Sequence, residues 1–84
     1  MKVEVLGTGC KKCEELYENT KKAIMEMQAD VIIEKVSDVN YIAKMGVFMT
    51  PALVIDGKVI SVGKSLSVDE IKARISELST SGVQ

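Results

Sequence analysis

Apolar positions recur along the chain with two different periods, and the switches between them mark its elements. Val3 to Leu6 is apolar apart from Glu4 and runs into Gly7-Thr8-Gly9, which predicts a first strand ending in a loop. From Cys13 onward the inward positions recur at Leu16, Thr20, Ala23, Ile24 and Met27. Steps of three and four residues predict a helix of about five turns, with Tyr17 beside its apolar stripe. Cys10 then stands at the helix N-terminus, and Cys13 falls one turn further along the same side. Val31 to Val36 is β-branched and half apolar, as a second strand would be. Ser37-Asp38 is a helix start signal; Val39, Ile42 and Ala43 give the short helix an inward face, and Gly46 ends it. Ala52 to Ile55 reads as a third strand, Asp56-Gly57 as a two-residue hairpin turn, and Lys58 to Val62 as the returning strand. Ser67-Val68-Asp69-Glu70 is a capping box, with Leu66 placed to pack on Ile71. Ile71, Ile75 and Leu78 turn the last helix inward, and residues 79–84, small and polar, read as a frayed tail.

The resulting order is βαβαββα. A helix between the first two strands makes them parallel with a right-handed crossover, and the hairpin is antiparallel. The expected fold is therefore α/β, a mixed four-stranded sheet flanked by helices. The 84 residues form one domain, 1–84, whose core is small, because a chain of this size buries only ~60–65% of its unfolded surface. A net charge of −1 gives no general attraction to nucleic acid or to an anionic membrane. The chain has no histidine, which removes serine–histidine and cysteine–histidine catalysis within one chain and the commonest metal ligand. Met1-Lys2-Val-Glu-Val-Leu is too short and too interrupted for a signal peptide, and no apolar run approaches membrane-spanning length. A cytoplasmic location is expected, where ordinary thiols are kept reduced.

The chemistry in this sequence sits in "GTGCKKC", Gly7 to Cys13, which holds both cysteines. So short a loop makes a poor structural staple, and a helix tip after Gly-Thr-Gly is a poor place to bury two inert thiols. A Cys-x-x-Cys that opens a helix after a strand, in a βαβ pattern, is a redox signature. The thiolate is the nucleophile; unpaired N–H groups at a helix N-terminus favour it, and Lys11 and Lys12 add positive charge beside it. Two intervening residues bring the second sulfur within reach, so a mixed disulfide on Cys10 can be resolved by Cys13.

"GTGCKKC" after "KVEVL", followed by "MTPALVIDGKVISVG", resembles the thioredoxin superfamily, and within it the small, glutaredoxin-sized redox-active disulfide proteins. The likeness runs from Lys2 to about Leu78. It implies a thioredoxin-like fold and a disulfide oxidoreductase that needs no cofactor, acting on protein disulfides and drawing on a reductant the sequence does not identify, as a monomer. By position, it implies that Cys10 attacks and Cys13 resolves. It also implies that Pro51 is a cis-proline facing the pair, and that Thr8, Gly9, Lys11, Met49, Thr50 and Pro51 contact substrate, with Thr50 offering backbone hydrogen bonds to an extended segment. The chain departs from the typical thioredoxin in carrying Gly9 before the first cysteine and Lys-Lys between the two, and from the typical glutaredoxin in having Gly63-Lys64 where that family has Gly-Gly. An acid on the strand six positions before the first cysteine is a thioredoxin feature, and Glu4 has that spacing from Cys10. A carboxylate in a central apolar strand is also unusual in itself, which makes Glu4 a candidate proton handler for Cys13, against the plainer alternative that it reaches solvent or a lysine.

Two other function classes use the same motif. Small copper chaperones place Cys-x-x-Cys between a strand and a helix, and two thiolates can hold Cu(I); zinc needs about four ligands, so two chains would have to share it. The methionines, including Met25, Met27, Met45 and Met49, read as core filler rather than metal ligands, with Met49 beside the site; Tyr17 and Tyr41 read as core-edge residues. A non-catalytic adaptor whose disulfide reports redox state is the third class.

Overall fold

In a computed structural model, β1 (Lys2–Leu6), α1 (Lys11–Met27), β2 (Ile32–Val36), α2 (Val39–Lys44), β3 (Ala52–Ile55), β4 (Lys58–Val62) and α3 (Val68–Val83) follow in the expected order. The structure describes the backbone of residues 1–83 and the side chains of residues 1–78. α3 runs on past Leu78, and the tail expected at 79–84 lies outside the residues whose side chains are described.

The sheet has the strand order β2-β1-β3-β4. β1 pairs with β2 in parallel, Val5 opposite Lys35, and with β3 antiparallel, Glu4 opposite Val54. The crossover through α1 makes the parallel pair; the Asp56-Gly57 turn makes the hairpin. Both turn residues have positive φ, 49° and 81°, which matches the twist of the flanking strands. One extra residue in β4 shifts the β3–β4 register between Leu53 and Val54, a bulge.

The pleat sorts β1 and β3 onto two cores. Val3, Val5, Leu53 and Ile55 pack with Leu16, Ala23 and Ile24 of α1, Ile71 and Ile75 of α3, and Leu66. On the other face, Leu6, Ala52 and Val54 pack with Ile42 of α2 and with Val47. So α1 and α3 cover one face and α2 the other. Thr20 is fully buried within α1, its hydroxyl donating to the Leu16 carbonyl at 2.6 Å, which explains how a polar residue holds an apolar position. The capping box forms as read: the Glu70 amide donates to Ser67 Oγ and the Ser67 amide to Glu70 Oε1, each at 3.2 Å.

Three expectations need correction. Val39 and Ala43 are exposed; α2 has six residues, under two turns, and offers the sheet one fully buried side chain, Ile42, flanked by half-buried Tyr41 and Met45. Met25 is 69% exposed on the outer side of α1 and fills no core. β2 begins at Ile32, leaving Val31 outside the ladder.

Candidate active site

The parallel β1–β2 pair and α1 meet at the loop Gly7-Thr8-Gly9, and the cysteines sit where that loop becomes helix. Cys10 is the N-cap of α1, with extended backbone (φ −71°, ψ 165°). Its carbonyl accepts the first helical bond, from the Glu14 amide at 3.0 Å, and its sulfur accepts from the Cys13 amide at 3.4 Å. The sulfur stands where a serine or aspartate oxygen usually caps a helix. Cys10 is exposed, whereas Cys13, one turn inward, is 3% exposed, and both are free thiols.

The two environments drive the thiols apart. The Cys13 thiol donates to the Cys10 sulfur, and the amides of Cys13, Lys12 and Cys10 itself point at it, which holds Cys10 below the ordinary cysteine value against a weaker opposing effect of desolvation. Burial pushes Cys13 up first; the proton it shares with Cys10 and the negative charge of Cys10 push it further. The lysine ammonium groups do not figure among the leading causes for Cys10. Lys11 and Lys12 are exposed at the helix tip, where water screens them.

A cavity of about 240 Å³ opens beside Cys13, lined by Val5, Gly7, Thr8, Gly9, Lys35 and Ser37. Thr8 and Gly9 therefore share the cysteine site, Gly9 in a left-handed turn at φ 90°. Gly7 lies closer still: a methyl group there would overlap Cys13 Sγ and come to 2.9 Å from Cys13 Cβ, with Thr50 Cβ 4.0 Å away. That contact brings the loop before β3 to the cysteines. The Thr50–Pro51 peptide bond is cis, and the Pro51 carbonyl accepts from the Gly63 amide at 2.7 Å. Met49 is 65% exposed and lies over Gly63, at 3.4 Å from the position of a Cβ there; Phe48 before it is 87% exposed. Gly7, Lys35, Ser37 and Gly63 were not singled out from the sequence as site residues. Lys35 and Ser37 had a legible signal, since a βαβ crossover places the C-terminal end of the second strand beside the end of the first.

Glu4 is not brought to the cysteines. It is 7% exposed and lies on the α2 face of the sheet, where it lines an open cleft with Lys2 and Glu34. There the Tyr41 hydroxyl donates to its carboxylate, 3.2 and 3.1 Å from the two oxygens. Cys13 lies on the α1 face with Val5, and alternation along β1 puts Glu4 and Val5 on opposite faces. Through its hydrogen bond with Tyr41, Glu4 ties α2 to the sheet. Glu4→Gln should leave the rate of mixed-disulfide resolution unchanged between about pH 6 and about pH 9 while lowering stability by about 0.5–1.5 kcal/mol, the net contribution of one hydrogen bond. Stopped-flow quenching and thermal unfolding check the two halves.

Among the described residues no three histidine, cysteine, aspartate or glutamate side chains cluster as a metal site, and no helix is long and apolar enough to cross a membrane.

Residues 1–76 match the family model described as thioredoxin domain. Two curated relatives are both named thioredoxin. That of Methanocaldococcus jannaschii is 47% identical over 73 residues, 87% of this chain and 84% of the relative. That of Methanothermobacter thermautotrophicus is 34% identical over 76 residues, 90% of this chain and 99% of the relative. With a βαβαββα fold, an exposed thiol capping α1 and a buried thiol one turn behind it, the chain belongs to the thioredoxin family, and its Cys10–Cys13 pair makes it a thiol–disulfide oxidoreductase.

Proposed function

We propose that Cys10 is the attacking thiol and Cys13 the resolving thiol in exchange with protein disulfides, and that the chain works in the cytoplasm beside a reductant such as a thioredoxin reductase. The observation that carries this reading is the asymmetry of the pair: an exposed sulfur held toward the thiolate and a buried one held toward the thiol. The Cys10 thiolate attacks one sulfur of a client disulfide, and the other client sulfur leaves as a thiolate that takes up a proton. Cys13 then gives up its proton and attacks Cys10 Sγ. The Cys10–Cys13 bond forms, and the first client sulfur leaves as the second thiol.

The client is to lie along the loop of Met49, Thr50 and Pro51 in extended form, with Thr50 supplying backbone hydrogen bonds as in strand addition; Thr8, Gly9 and Lys11 line the other side. The exposed apolar side chains of Phe48 and Met49 favour a polypeptide over a small polar disulfide.

A coupled assay tests the reading: a disulfide-bonded protein substrate, catalytic amounts of this chain, and either NADPH with thioredoxin reductase or NADPH with glutathione and its reductase. Many turnovers per chain with at least one donor are expected. Consumption of a single equivalent of substrate with every donor would overturn the oxidoreductase reading in favour of a redox-reporting adaptor.

A further inference from the structure

Gly7 has no conformational reason to be glycine. The glycines with positive φ are Gly9, Gly46, Gly57 and Gly63; Gly7 is not one of them. It is buried, and its amide is pinned by a 2.9 Å hydrogen bond to the Val36 carbonyl at the end of β2, so it cannot retreat toward the sheet. What it lacks is a side chain, and the space of that side chain is taken by Cys13. A Cβ there would overlap Cys13 Sγ, with Thr50 Cβ 4.0 Å away on the third side. The sulfur found there belongs to a free thiol.

This occupancy belongs to the reduced pair. A disulfide draws the two sulfurs to about 2.05 Å, closer than two unbonded thiols approach. Cys10 is exposed at the helix tip, and Gly7 is buried at the end of β1. A Cys13 Sγ that closes on the exposed Cys10 Sγ travels outward, away from Gly7.

We propose that Gly7 is a positioning residue that forms a niche for the Cys13 sulfur of the dithiol state and thereby sets the redox poise of the pair. The niche is filled when the pair is reduced. It loosens when the dithiol passes two electrons and two protons to a client disulfide, whose bond becomes two thiols as the Cys10–Cys13 bond forms. A larger residue at position 7 penalises the dithiol more than the disulfide and makes the chain a stronger reductant. The proposal rests on the Cys10–Cys13 couple being the redox centre.

The test is Gly7→Ala, equilibrated in glutathione redox buffers and compared with the unsubstituted chain. The disulfide should be favoured about tenfold more, a potential about 30 mV more negative. The melting temperature of the reduced form should fall further than that of the oxidised form. Equal losses in the two redox states, with an unchanged equilibrium constant, would overturn the niche, because a merely structural glycine gives that result. If Gly7→Ala fails to fold as the dithiol, the same variant is refolded under oxidising conditions: a chain that folds as the disulfide alone supports the niche, and failure in both redox states overturns it. An unsubstituted chain that formed no disulfide at any buffer ratio would overturn both the niche and the oxidoreductase reading, whereas a normal couple with a silent Gly7→Ala overturns the niche alone.

Discussion

Cys13→Ser is expected to turn the enzyme into a trap. Cys10 keeps its exposed position at the tip of α1 and still attacks client disulfides, but the serine hydroxyl cannot resolve the product. A tethered thiol acts at an effective concentration well above the millimolar level of a free one, so turnover should fall by about a thousandfold or more. The Cys10–client adduct should accumulate to near one equivalent, visible as a thiol-sensitive band on non-reducing gels and as the summed mass by mass spectrometry. Cys10→Ser should form no adduct, because Cys13 is 3% exposed and held toward the thiol by burial. Adducts on Cys13 in that variant would reverse the assignment of the two roles.

Leu16→Ala has the largest expected effect on stability among the residues near the site. Leu16 is fully buried between the sheet and α1, one turn beyond Cys13 on the same inward stripe. Truncating a buried leucine costs about 2–5 kcal/mol, from lost apolar burial and the cavity left behind. A domain of this size has only ~5–10 kcal/mol in total. The melting temperature should drop by more than about 10 °C. Met25→Ala, on the outer side of the same helix and 69% exposed, should change it little. Comparable losses from both would mean that α1 does not pack on the sheet through the face that carries Cys13.

What could be read from the sequence was mostly local. Asp56-Gly57 between two apolar runs allows few conformations, and it forms the expected turn with β3 and β4 on either side. Ser67 and Glu70 cap α3 through their own side chains. The cysteine pair is legible for the same reason: helix phase and N-terminal position follow from residues a few places apart. Less was legible where phase had to be carried across a break. The spacing of Glu4 from Cys10 crosses Gly7-Thr8-Gly9, where strand phase is lost, so the count alone does not fix its face; the side chain points to the α2 face. Val39 and Ala43 were assigned inward on a helix too short to have a well-defined apolar stripe. The positive charge of Lys11 and Lys12 is legible in a list of residues, whereas the hydrogen bonds from Cys13 and from backbone amides that lower Cys10 are not. The importance of Gly7 lay in a contact between the end of β1 and a sulfur on α1, which no local pattern reports.

The reactivity of each thiol as a function of pH tests the central claim most directly. The reduced chain is pulsed with iodoacetamide from about pH 5 to about pH 9, and each cysteine is quantified by peptide mass. Only the thiolate reacts. A lowered Cys10 is already substantially ionised below the pH at which a free cysteine ionises, so its labelling should rise and level off at lower pH than that of a model peptide; Cys13, raised by burial, should lag well behind throughout. Equal labelling of the two cysteines, or a Cys10 profile lying at or above that of free cysteine, would contradict the account.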